Sequence, residues 1–152
     1  KAPTIGAKDG RDILRGEILR KGSDAVLLAI GPVISACLAV AESLAHDGYS
    51  VGVADARWIK PLDGALLDKL RGTPIITVEE NTLPGGFGAG VIEYYADHGG
   101  LDDLRIRRMG FPDRYIDHAT REEQLAEIGL DFDSIAAAAR ELVGQRIPHP
   151  VS

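Results

Sequence analysis

A guanidinium, an amine, two carboxylates and an amide fall within two short stretches of this chain, each just after an apolar run. The first stretch is Asp55-Ala56-Arg57-Trp58-Ile59-Lys60-Pro61-Leu62-Asp63, entered from Val51-Gly52-Val53-Ala54. The second is Glu79-Glu80-Asn81-Thr82-Leu83-Pro84-Gly85-Gly86-Phe87-Gly88, entered from Pro74-Ile75-Ile76-Thr77-Val78. Arg57 and Lys60 can pair with anions, Glu79 and Glu80 can accept protons or cations, and Asn81 can both donate and accept. In open α/β sheets ligands and partners gather at the carboxyl ends of strands. We therefore expect Arg57, Lys60, Glu79, Glu80 and Asn81 to lie near one another, in loops leaving two neighbouring parallel strands. Their expected work is hydrogen bonding between domains or subunits, with some compensation of opposite charge. Trp58 is expected to be an aromatic anchor packed against another domain. The alternative, that it fills the core between sheet and helix, stays open.

Other candidate chemistry falls short. A helix opening at Gly85-Gly86-Phe87-Gly88-Ala89-Gly90 could hold an anion on its bare amides. The spacing is not G-x-G-x-x-G, however, and no Walker A lysine follows. Close helix-to-sheet packing is the expected reason for Gly85, Gly86 and Gly88. His46, His98, His118 and His149 are scattered without metal-ligand spacing. No serine lies in G-x-S-x-G, and Asp117-His118 reads as an ordinary loop pair before a helix. The single cysteine, Cys37, falls on the apolar side of a predicted helix, as a buried thiol does. It excludes an internal disulfide and favours a reducing, cytoplasmic setting. No catalytic, cofactor-binding or metal-ligating residue is assigned to this chain.

The chain has 152 residues, 45% hydrophobic and 26% charged, which suits one domain with a sizeable core. Its net charge of -6, with both signs mixed along the sequence, argues against nucleic-acid binding, which needs a basic face. No apolar run approaches the roughly 20 residues of a membrane span, and no signal-peptide pattern opens the chain. The first residue is Lys1 rather than Met, as expected of a piece of a longer polypeptide. Such a piece need not carry the chemistry of its parent.

Residues 1–22 read as a linker and an edge strand, 23–144 as one domain and 145–152 as a tail. The charged neighbours of Ile18-Leu19 suit an edge strand. Ala25 to Ile30 is a continuous apolar run, typical of a strand covered on both faces. Val33, Cys37, Val40, Ala41 and Leu44 form one helical stripe that Gly48 ends. Val51 to Ala54 and Ile75 to Val78 are further strands, and Asp63 caps a short helix between them. A helix follows from Gly86 or Phe87 to His98. A half-exposed strand runs from Leu104 to Met109. A capping box at Thr120-Arg121-Glu122-Glu123 opens the next helix, and a last one runs from about Ser134 to Val143. The alternation predicts a three-layer α/β/α sandwich with a mainly parallel sheet of about five strands and an edge strand.

From Gly22 to about Val143 the sequence resembles the C-terminal domain of the 1-deoxy-D-xylulose-5-phosphate synthase family, in the transketolase superfamily. The resemblance rests on Asp55-Ala56-Arg57 with Lys60-Pro61-Leu62-Asp63, and on Thr77-Val78-Glu79-Glu80-Asn81 with Gly85-Gly86-Phe87-Gly88. Its most discriminating stretch is Gly110-Phe111-Pro112-Asp113, Tyr115-Ile116 and His118, then Glu122-Glu123-Gln124-Leu125 and Gly129-Leu130-Asp131. The β subunits of 2-oxo acid dehydrogenases share the earlier features but lack that ending. Trp58, where a Phe is expected, and the longer linker at Gly10-Arg11-Asp12 are the departures. The resemblance implies a homodimeric enzyme joining pyruvate to D-glyceraldehyde 3-phosphate with loss of carbon dioxide, using thiamine diphosphate and Mg2+, for isoprenoid and thiamine synthesis. It also implies that cofactor and metal are held by the parent's N-terminal and central domains, since no G-D-G motif occurs here. This chain is then expected to be non-catalytic, with Arg57, Trp58, Lys60, Glu79, Glu80, Asn81, Gly85, Gly86 and Gly88 in interface or structural roles. The alternatives are a dehydrogenase β-subunit domain and a free-standing anion-binding α/β module.

Overall fold

The computed structural model describes residues 15–114 and 120–145. The linker at Lys1 to Gly10, Tyr115-Ile116, Asp117-His118 and His149 lie outside the described residues. In chain order the elements are β1 (Glu17–Arg20), β2 (Ala25–Ile30), α1 (Ile34–His46), β3 (Val51–Asp55), α2 (Gly64–Lys69) and β4 (Ile75–Thr82). Then come α3 (Phe87–His98), β5 (Ile106–Phe111), α4 (Arg121–Ile128) and α5 (Phe132–Gly144). The strands form one five-stranded sheet in the order β1-β3-β2-β4-β5, edge strand included. β1 runs antiparallel to β3, and the other pairs are parallel.

β2 lies at the centre, and Ala25 to Ala29 are buried whichever face they point to. Its two faces seed two cores. Leu27 and Ala29 meet α1 and α5 on one side, while Val26 and Leu28 meet α2 and α3 on the other. The stripe of α1 that was read from helical spacing is fully buried at Cys37, Val40, Ala41 and Leu44. Each such Val or Leu contributes about 1.5–3 kcal/mol by leaving water. Burial also pushes the Cys37 thiol up to about 12, so it packs as a small apolar group.

The helix ends follow from named residues. Gly48 adopts φ 86° after α1, donating to the Ala45 carbonyl while Tyr49 N donates to Leu44, a Schellman arrangement. Asp63 accepts from Ala65 N at 3.1 Å and Leu66 N at 3.2 Å to start α2. Its other oxygen accepts from Gly16 N at 2.9 Å, tying in the approach to β1. Thr120 and Glu123 form the expected capping box, and Asp131 caps α5, which begins at Phe132 rather than Ser134.

Two expectations are corrected. β3 and β4 are not neighbours, because β2 lies between them. β2, β3 and β4 are each buried on both faces, so the apolar pattern alone does not rank them, and the α2 crossover carries the chain past β2. Glu79, Glu80 and Asn81 are not loop residues: β4 continues through them to Thr82. Val78 pairs with Met109 and Thr82 with Phe111, so three residues of β4 face Gly110 alone. This is a β-bulge, which bends a strand and re-aims its side chains.

Candidate functional site: the carboxyl edge of the sheet

β2, β3 and β4 are mutually parallel, so both charged segments emerge at the same end of the sheet, one on each side of β2. On the β3 side the chain leaves through Arg57, a non-glycine residue at φ 61°. Left-handed backbone costs such a residue about 1–2 kcal/mol, and the contacts around Arg57 oppose that cost. Its N–H donates to Asp55 Oδ1 at 2.9 Å. Its guanidinium donates to Glu17 at 2.5 Å and lies 3.7 Å from Asp55. The opposite charge expected from Glu79 and Glu80 is therefore supplied by Glu17 of the edge strand and by Asp55. Spacing alone carried no signal for Glu17, since its approach depends on the antiparallel register of β1.

With Arg57 turned back onto its own sheet, the next residues face outward. Trp58 is 42% and Ile59 37% exposed, and Lys60 is exposed beside a cis peptide bond to Pro61. Trp58 therefore does not fill this chain's core. With Gly31, Ile34, Asp55 and Arg57 it lines an open hollow of about 390 Å³ where β2 and β3 end.

On the β4 side the pleat of the strand separates the two acids. Glu80 turns to the surface and pairs with Arg121 at the start of α4, and Asn81 is exposed. Glu79 is fully buried. Its Oε2 accepts from Phe87 N at 2.5 Å, so it caps α3 from outside the helix, where the N-cap residue Gly86 has no side chain to do so. Glu79 Oε1 and the hydroxyl of Thr77, two residues earlier on the same strand face, have no hydrogen-bond partner. Burial pushes the Glu79 carboxyl above its ordinary value, against the pull of the Phe87 and Gly88 amides and of Arg108.

The glycines owe their places to close approach. A Cβ on Gly88 would lie 2.5 Å from Thr77 Oγ1 and 3.0 Å from Arg108 Cδ, and one on Gly86 would strike the Glu79 carboxyl and the Thr82 carbonyl. Gly85 instead turns the chain at φ 68° with open space around it. Two further aromatic residues of this region, Phe87 and Tyr94, turn inward and leave Trp58 as the exposed aromatic of this edge. Phe87 is fully buried. Tyr94 packs against the core between α2, α3 and the sheet, its hydroxyl donating to Asp68 at 3.0 Å. Both lie on α3, whose inner side the two tyrosines hold against α2; Tyr95 donates to the Leu67 carbonyl at 2.6 Å.

This edge offers an exposed aromatic, a lysine and an amide that can recognise and dock. Among the described residues no cluster of three or more His, Cys, Asp or Glu could hold a metal ion. No helix there is long and apolar enough to cross a membrane.

The transketolase C-terminal domain family matches residues 14–135. The 1-deoxy-D-xylulose-5-phosphate synthase of Magnetococcus marinus is 47% identical over 136 residues, covering 88% of this chain and 22% of that protein. The same enzyme of Geobacillus thermodenitrificans is 46% identical over 132 residues, covering 86% and 21%. The chain thus spans about a fifth of the length of these curated relatives. Among solved structures, a split-gene transketolase described as an inactive β4 tetramer aligns with a TM-score of 0.80 at 26% identity. That alignment covers 90% of this chain and 45% of the other.

Proposed function

The chain belongs to the transketolase C-terminal domain family, and from that premise we propose that it is the C-terminal domain of a 1-deoxy-D-xylulose-5-phosphate synthase. The parent would condense pyruvate with D-glyceraldehyde 3-phosphate and release carbon dioxide. The observation that carries this reading is 47% identity to such a synthase across 88% of the chain. Thiamine diphosphate and Mg2+ would supply the carbanion chemistry from the parent's other domains. Among the described residues, the glycine-rich start of α3 does not suit a diphosphate. It already holds an acid, Glu79, on its Phe87 amide, and the Thr77 and Arg108 side chains press on Gly88. The same occupancy counts against a free-standing anion-binding module.

The role of this domain is mechanical. Its sheet presents Trp58, Ile59, Lys60 and Asn81 along one edge for the remainder of the polypeptide or for a second copy in a homodimer. An exposed aromatic flanked by charged groups has the composition of an interface core and rim. The parent works in the cytoplasm and binds neither nucleic acid nor membrane. The test is an assay of the intact polypeptide containing this chain. Carbon dioxide release from pyruvate that requires the triose phosphate, thiamine diphosphate and Mg2+ is the expected result. Transfer of an acyl group to a carrier subunit instead would assign a dehydrogenase β subunit.

A further inference from the structure

Glu79 is a buried acid that the proposed docking role leaves unexplained. Its partners are known on every side. From α3 it meets the Phe87 amide at 2.5 Å, with the Gly88 amide next to it, and from β5 the charged group facing it is Arg108. On β2 its paired neighbour is the uncharged Ile30, and on its own strand Thr77 shares its face while Glu80 pairs away with Arg121. One oxygen is thus used as a cap, and the other, Oε1, is buried without a donor. An ionised carboxylate in that position leaves half its charge unpaired out of water, whereas a neutral acid leaves only a polar group unpaired, which costs far less. The capping bond to Oε2 survives in either form.

We propose that Glu79 is a buried proton-binding site that latches the start of α3 onto β4, firm while the carboxyl is neutral and loosened when its proton leaves. Because β4 bulges at this residue, the latch also sets how Glu80 and Asn81 are displayed at the carboxyl edge. A carboxyl that holds its proton more tightly folded than unfolded adds stability at pH below the unfolded value. It loses that stability as pH rises through the folded value.

Glu79→Gln keeps an oxygen for the Phe87 amide and cannot ionise. Urea unfolding of this chain and of the variant, from acid to mildly alkaline pH, should show a rising advantage for Gln, with its midpoint overtaking that of the native chain. Protection of the Phe87 amide against exchange, corrected for the intrinsic rate, should fall over the same range only in the native chain. Carbon-13 titration of the native Glu79 carboxyl decides the matter if the variant does not fold. A midpoint above the ordinary value of about 4.3 supports the latch, and one at or below it overturns the latch. A Gln variant that loses ground as pH rises, or differs by a constant amount, overturns it as well.

Discussion

Replacing Gly88 with valine is expected to cost about 3 kcal/mol of folding stability, with no loss of any specific ligand. Gly88 is the second residue of α3, and even a single added carbon there would lie 2.5 Å from Thr77 Oγ1. Arg108 is exposed and can swing aside, but Thr77 cannot give way cheaply. Thr77 sits in β4, the strand beside the central one, and is fully buried. Arg108 lies on β5, paired with Thr77 itself. α3 would have to lift from the sheet, withdrawing Phe87, Val91 and Tyr95, which are all buried against it. For a domain of this size the loss corresponds to roughly 6–12 °C in thermal midpoint, measurable by calorimetry or circular dichroism. A variant that folded normally and lost only affinity for phosphate would revive the anion-binding alternative.

The second large effect is on assembly. In the full-length parent, Trp58→Glu is expected to weaken the association through this edge by at least about 100-fold, equivalent to about 2.7 kcal/mol. The fold of the domain should be untouched, since Trp58 is 42% exposed and exposed positions tolerate substitution within about 0.5 kcal/mol. A buried indole at an interface would be exchanged for a carboxylate with no partner, which adds a desolvation cost to the lost contact. Sedimentation should show dissociation with helix content retained. Undisturbed assembly would remove Trp58 from the interface, and loss of folding would mean that the exposed indole is holding the domain together.

Much of the fold was legible because its determinants are local. The apolar run of β2, the stripe of α1, the Asp63 cap and the Thr120–Glu123 capping box are each written within a few consecutive residues. The family resemblance was legible for the same reason, and the match over residues 14–135 agrees with it. What escaped was set by pairing between distant segments. Arg57 is expected near the acids of β4 with some compensation of charge, yet it is held by Glu17, whose nearness depends on β1 pairing antiparallel with β3. Glu79 and Glu80 look equivalent as adjacent acids in a loop, and they part because β4 runs on through them, so that successive side chains point to opposite faces. The inward turn of Phe87 and Tyr94 carries no local signal, because the side of α3 that meets the sheet depends on where Gly86 and Gly88 let it touch. Gly22 gave no signal at all, although a Cβ there would strike the backbone of Gly52 across the β1–β3 edge.

The central claim is that this chain supports a thiamine diphosphate enzyme without holding its cofactor. It is tested most directly by titrating thiamine diphosphate with Mg2+ into this chain alone, and into the full-length parent, by isothermal calorimetry. The account predicts binding to the parent and no measurable heat of binding with the isolated chain, in which Glu79 occupies the glycine-rich start of α3. A saturable, Mg2+-dependent site of micromolar affinity on the isolated chain would contradict it.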